Sequence, residues 1–177
     1  MKPCAVLLDR DGTIVVDVPY NGDPAKVRAI DGARAALDRL RAAGLPIAIV
    51  TNQSGIGRGL VTAERVAAVD RRIEELLGPF AGWFACPHAP ADDCACRKPK
   101  PKLVLDAARS LGVEPRCCVV VGDQESDVEA ARNAGALGLK VGAARSLGDA
   151  VDEILRAAGE AGDSCKHPAK ASRTRDA

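Results

Sequence analysis

Aromatic side chains are scarce: they form 2% of the 177 residues, and Tyr20, Phe80, Trp83 and Phe84 are the whole supply. A surface that stacks nucleic-acid bases draws on aromatic faces, so no base-binding platform is expected. Excess charge of one sign is also missing. Lys and Arg number 25 against 24 Asp and Glu, a formal net charge of +1, and such a balance gives no general attraction to polyanions or anionic lipid. No apolar run reaches the ~18 residues of a membrane span, and the stretch after Lys2 is too short for a signal peptide. The expectation is a cytoplasmic monomer with no nucleic-acid and no membrane partner.

What is present suffices for a core: 47% of the residues are hydrophobic and 28% charged. That composition belongs to a globular chain, and the length fits one domain. The seven cysteines are unevenly placed, with Cys86, Cys94 and Cys96 close together and Cys4, Cys117, Cys118 and Cys165 scattered. In a reducing compartment such a cluster reads as a metal site before it reads as disulfides.

Hydrophobic patterning predicts alternating strands and helices. Ala5 to Leu8 is a continuous apolar run meeting Asp9 and Gly12, as in a strand buried on both faces. Ala33, Ala36, Leu37, Leu40 and Ala43 recur at helical spacing before Gly44, and Pro46 to Val50 reads as a second strand closed by Thr51. Thr62 is placed to cap a helix with an inner stripe of Val66, Val69, Ile73, Leu76 and Leu77, ended by Gly78 and Pro79. An irregular Cys-rich stretch follows. Further on, a helix is predicted over 103–111, a third strand over 118–121, a helix over 127–134, a fourth strand over 139–141 and a last helix over 147–158. Such alternation implies an α/β fold with a parallel sheet, whose ligands sit outside the carboxyl ends of the strands. No intervening segment is long enough for a separate cap domain. Residues 1–158 are expected to form the domain, and 159–177, basic and without apolar periodicity, a disordered tail.

Asp9 and Asp11 lie two residues apart at the end of the first strand, so an extended chain can turn both carboxylates toward one site. Their proton affinities can then be split, one ionised beside a divalent metal and one kept as an acid. Thr51, Asn52, Gln53 and Ser54 close the second strand with a hydroxyl, amides and backbone N–H groups suited to phosphate oxygens. Arg97 and Lys98 supply cations that can neutralise a phosphoryl group. Asp123 and Asp127 end the third strand with hard oxygen ligands of the kind Mg²⁺ prefers. Singly, each has a structural alternative as a helix cap, a turn or a solvated charge. The glycines from Gly55 to Gly59 do not have the spacing of a dinucleotide-binding loop.

In order along the chain, the DRDGT segment at Asp9, TNQSG at Thr51, RKP at Arg97 and GDQESD at Gly122 resemble the four motifs of the haloacid-dehalogenase-like phosphohydrolase superfamily. DRDGT, TNQSG and the stretch from Cys86 to Pro99 are similar to its branch of heptose-bisphosphate phosphatases and histidinol phosphatases. The resemblance implies a Rossmann-like three-layer α/β/α fold with a small zinc loop, and a Mg²⁺-dependent phosphomonoesterase working through a phosphoaspartate on a small phosphorylated sugar. It further implies Asp9 as nucleophile and Asp11 as general acid and base, with Thr51 and Lys98 holding the phosphoryl oxygens. Arg97 becomes a substrate-recognition residue and Asp17 to Tyr20 the substrate loop. The implied Mg²⁺ ligands are Asp9, Asp123 and the Asp11 carbonyl. A heptose bisphosphate is the expected substrate, histidinol phosphate or another small phosphate ester the alternative, and an inactive zinc-stabilised phosphosugar-binding module the reading from another class. Gln124 stands where many members carry Lys.

Cys86, His88, Cys94 and Cys96 also read as zinc ligands from their chemistry alone, since three thiolates and an imidazole complete a tetrahedral structural Zn²⁺ site. The Cys94-Ala95-Cys96 spacing disfavours a redox dithiol. Zinc held there would pin Arg97 and Lys98. Of the other cysteines, Cys4, Cys117 and Cys118 read as buried strand residues and Cys165 as part of the tail.

Overall fold

The structure is a computed structural model that describes residues 2–160. A five-stranded parallel sheet has the order β3-β2-β1-β4-β5. Its strands are β1 (Ala5–Leu8), β2 (Ile47–Asn52), β3 (Gly82–Cys86), β4 (Cys118–Gly122) and β5 (Leu137–Lys140). The helices are α1 (Ala33–Ala42), α2 (Ala63–Leu77), α3 (Lys102–Leu111), α4 (Glu125–Ala134) and α5 (Leu147–Glu160).

Strand periodicity sorts the apolar residues into two cores. Val6, Leu8, Ile47, Ile49, Val119 and Val121 pack with α1, α2 and α5 on one face. Ala5, Leu7, Ala48, Val50, Cys118 and Val120 pack with α3 and α4 on the other. Both faces of β1, β2 and β4 are therefore covered, as their unbroken apolar runs require. The result is three α/β/α layers without a separate cap domain among the described residues. No helix there is long and apolar enough to cross a membrane.

Some boundaries differ from the sequence reading. The Cys-rich stretch, expected to be irregular, contains β3, which pairs along β2 from Ala48↔Gly82 to Asn52↔Cys86. This edge strand is half exposed over most of its length, so it lacks the apolar run of an inner strand. Helix α4 begins two residues before the expected Asp127, because the Asp127 carboxylate caps it by accepting from Gln124 N at 3.0 Å. Helix α5 reaches Glu160, past the expected boundary at 158; the rest of the predicted tail, with Cys165, lies outside the described residues. Cys118 is buried in β4, while Cys4 and Cys117 are only partly buried and flank β1 and β4. Thr62 caps α2 as expected, its hydroxyl accepting from Arg65 N.

Candidate active site

A cavity of about 430 Å³ opens at the carboxyl ends of β1, β2 and β4. Every predicted catalytic and substrate residue lines it: Asp9 and Asp11 beyond β1, Asp17 and Tyr20 from the following loop, Thr51 to Ser54 at the end of β2, Arg97 and Lys98 before α3, and Asp123 beyond β4. Arg10, Gln124 and Asp127 line it too. Tyr20 has a positive φ of 53° and accepts a hydrogen bond from Arg58 at 3.2 Å.

Lys98 is the centre of charge. Only 4% exposed, it donates to Asp9 Oδ1 at 2.6 Å and to the Val50 carbonyl at 2.8 Å. Its backbone is clasped by Asn52, whose amide donates to Lys98 O at 3.2 Å and accepts from Lys98 N at 3.1 Å. Burial works to lower the ammonium's pKa, but Asp9 and Asp127 overcome it and raise it, so Lys98 is a fixed cation. Burial is also the largest influence on Asp9, pushing its carboxyl up to about 7 with help from Asp127 and Asp11 and against the pull of Lys98.

Asp11 is held differently. Its Oδ2 accepts from Arg10 Nε at 3.0 Å and Gln53 Nε2 at 2.8 Å. Arg10 is 1% exposed, and its other nitrogens donate to Asp70 Oδ1 at 2.7 Å and Gln53 Oε1 at 2.9 Å. Gln53 Nε2 also donates to Thr51 Oγ1 at 3.0 Å, which leaves the Thr51 hydroxyl proton for another acceptor.

The carboxylate oxygens that gather within 4.8 Å of one another belong to Asp9, Asp123 and Asp127. Asp127 is 1% exposed, and its Oδ1 has no hydrogen-bond donor, though Lys98 Nζ lies 2.5 Å away as an ion pair off the hydrogen-bonding direction. Three carboxylates against one ammonium leave an excess of negative charge, so the cluster fits a divalent cation. Gly12, with φ of 78°, makes room for it: a Cβ there would meet Asp123 Oδ2 at 2.6 Å. Asp123 is steadied by Gln124, which donates at 2.5 Å, and by Thr13 at 3.4 Å.

Cys86, His88, Cys94 and Cys96 also bring their donor atoms within 4.8 Å of one another. Cys94 Sγ lies 3.5 Å from Cys86 Sγ and 3.6 Å from Cys96 Sγ, and His88 Nδ1 lies 3.3 Å from Cys96 Sγ and 3.7 Å from Cys86 Sγ. A tetrahedron with ordinary zinc bond lengths has sulfur–sulfur edges of about 3.8 Å and sulfur–nitrogen edges of about 3.6 Å, so the four donors fit Zn²⁺. The loop is tied to the segment that follows β2 at Gly57, whose N–H donates to Pro87 O at 2.7 Å and whose absent side chain lets the Ala89 backbone approach.

Residues 20–135 match the family model described as haloacid dehalogenase-like hydrolase. The chain belongs to that family. It is similar to D-glycero-beta-D-manno-heptose-1,7-bisphosphate 7-phosphatase of Pasteurella multocida, 35% identical over 140 residues that span 73% of this chain and 76% of the relative. It is similar also to D-glycero-alpha-D-manno-heptose-1,7-bisphosphate 7-phosphatase of Mycobacterium tuberculosis, 40% identical over 138 residues, 74% of this chain and 73% of that one. Among solved structures, the D,D-heptose 1.7-bisphosphate phosphatase from B. bronchiseptica, complexed with magnesium and phosphate, matches at a TM-score of 0.78. The two are 30% identical, and the match covers 88% of this chain and 99% of that one.

In this hydrolase, sequence reasoning left open how Asp127 takes part and missed the Arg10–Asp70 contact altogether. Asp70 sits on α2 between the buried Val66, Val69, Ile73 and Leu77. A charged residue at i+4 from Val66 and i−3 from Ile73, on the stripe that faces inward, is the signal that points to a buried partner.

Proposed function

We propose that the protein is a Mg²⁺-dependent phosphomonoesterase that removes the 7-phosphate of D-glycero-D-manno-heptose 1,7-bisphosphate through a phosphoaspartate at Asp9. The observation that carries this reading is that Asp9 and Asp11 line one cavity with different partners: Asp9 lies in the carboxylate cluster beside Lys98, and Asp11 is bonded to Arg10 and Gln53. A carboxylate oxygen of Asp9 attacks phosphorus while Lys98 and the Thr51 hydroxyl hold the phosphoryl oxygens. Asp11 gives its proton to the departing sugar oxygen, a step for which a placed acid is worth about 10²–10⁴ in rate. It then takes a proton from the water that attacks the phosphoaspartate, which releases phosphate and frees Asp9. Asp9, Asp123 and the Asp11 carbonyl would hold Mg²⁺, beside the buried Asp127 carboxylate, and the ion would supply positive charge that keeps Asp9 ionised and offsets the phosphoryl charge.

A second phosphate on the substrate accounts for Arg97, whose Nη1 is buried without a hydrogen-bond partner. The names of the relatives support a heptose bisphosphate over histidinol phosphate, and the presence of every catalytic side chain speaks against an inactive binding module. Zn²⁺ on Cys86, His88, Cys94 and Cys96 fixes the loop that carries Arg97 and Lys98. The working unit extends through α5 to Glu160, and it is a cytoplasmic monomer acting on a small phosphosugar. Phosphate release with Mg²⁺ from both anomers of the heptose 1,7-bisphosphate, from histidinol phosphate and from other sugar phosphates tests the assignment. A strong preference for one heptose anomer is expected, a preference for histidinol phosphate overturns the substrate, and binding without release overturns the chemistry.

A further inference from the structure

We propose that Asp70, on α2 outside the cavity, is a positioning residue that keeps Arg10 on one oxygen of Asp11 and so leaves the other for the substrate. The inference rests on the phosphatase reading. A guanidinium beside a carboxylate tends to fork across both oxygens. Arg10 does not: its Nε and Nη2 both approach Asp11 Oδ2, at 3.0 and 2.9 Å, while Nη1 is drawn to Asp70 Oδ1 at 2.7 Å. Gln53 adds a third donor to the same Oδ2, and among the described residues Asp11 Oδ1 has no protein donor. Without Asp70, the buried Arg10 has Asp11 as its remaining carboxylate partner, and the guanidinium is free to turn so that Nε and Nη2 fork across both oxygens, Oδ1 included, the oxygen that has to carry the proton to the leaving group.

Arg10 itself sets two further groups. Because Gln53 Oε1 accepts from Arg10 Nη2, its amide nitrogen must face Asp11 and Thr51. Thr51 then accepts at its oxygen and directs its own proton elsewhere. Those contacts run through Nη2 rather than the Nη1 that Asp70 holds, so they persist without Asp70, and no atom of Asp70 touches the substrate.

The test separates proton delivery from general damage by changing the leaving group. In phosphoryl transfer to Asp9 the bond from phosphorus to the ester oxygen breaks; a sugar oxygen needs the Asp11 proton as it leaves, whereas p-nitrophenolate departs without one. Single-turnover phosphoenzyme formation is measured for wild type, Asp70→Ala and Asp70→Asn with a sugar phosphate and with p-nitrophenyl phosphate, each variant being melted to confirm folding. The expectation for Asp70→Ala is at least a ~10-fold loss with the sugar phosphate, less than a ~3-fold loss with p-nitrophenyl phosphate, and a KM within ~3-fold of wild type. Asp70→Asn keeps an acceptor for Nη1 and should recover most of the rate. If Asp70→Ala does not fold, Asp70→Glu, which keeps the charge but moves the acceptor, should show the same selective loss. Equal losses with both esters, or none with either, overturn the positioning role. A wild-type protein that transfers phosphoryl from neither ester overturns the phosphatase reading instead.

Discussion

Lys98 joins the phosphoryl contact proposed for it to the neutralisation of two buried acids, so its removal should be costly twice. Lys98→Met leaves Asp9 and Asp127 without their cation, and breaking a buried pair from one side costs about 3–5 kcal/mol. Denaturant unfolding should show that loss in metal-free protein, with Mg²⁺ recovering part of it, and kcat should fall by at least ~100-fold. Unchanged stability would mean that the ion pairs with Asp9 and Asp127 carry no weight. The raised pKa of Asp9 gives a second expectation. A carboxyl at about 7 in the folded chain, against 3.8 as its ordinary value, holds its proton more tightly when folded. Its contribution to metal-free stability is therefore greatest below pH 4 and is lost as pH rises toward 7. If Asp9 holds Mg²⁺ as proposed, it does so in its ionised form, and the Mg²⁺-induced rise in Tm should be larger at pH 8 than at pH 6; equal shifts at the two values would contradict it. These partners were only half legible in the sequence. Asp9, Asp11, Thr51, Lys98 and Asp123 stand in short motifs at strand ends, where position implies a shared site. Asp70 meets Arg10 across 60 residues of chain, and no local pattern specifies that contact.

Among the elements, the inner strands were legible, as was most of the β5 edge, and the β3 edge was not. Ala5–Leu8 and Cys118–Gly122 are buried on both faces and therefore apolar throughout, whereas Gly82–Cys86 pairs on one side only and mixes a glycine and two aromatics in half-exposed positions. Yet this edge strand delivers Cys86 beside Asn52 and starts the loop that ends at Lys98. A Cys94→Ser, Cys96→Ser double variant should lose bound zinc by elemental analysis, melt at least ~5 °C lower, and lose about tenfold or more in kcat. A variant without zinc but with full activity would separate the loop from catalysis. For the sheet itself, Ile49 is fully buried between β1 and the helices of its face. Ile49→Ala should lower unfolding free energy by about 2–5 kcal/mol, read from urea titration, with the site chemistry intact in what remains folded.

At the scale of the molecule, the parallel sheet explains why motifs so far apart in sequence converge. Parallel pairing puts the carboxyl ends of β1, β2 and β4 at one edge of the layers, and the short connections leave a site walled by loops, the end of β2 and the start of α4. Alternation of apolar runs and helical stripes made that architecture readable without any contact information; the depth of the cavity and the sharing of charge within it required coordinates, because they arise between elements. The central claim is that Asp9 is the covalent phosphoryl carrier. Acid-quenched single turnover with a substrate labelled in the transferred phosphate, followed by peptide mapping, tests it most directly. The account predicts label on Asp9 that chases to free phosphate, requires Mg²⁺ and is absent from Asp9→Asn, whose turnover falls by about three decades or more. Turnover with no label on Asp9, or an Asp9→Asn variant that works like the wild type, would contradict it.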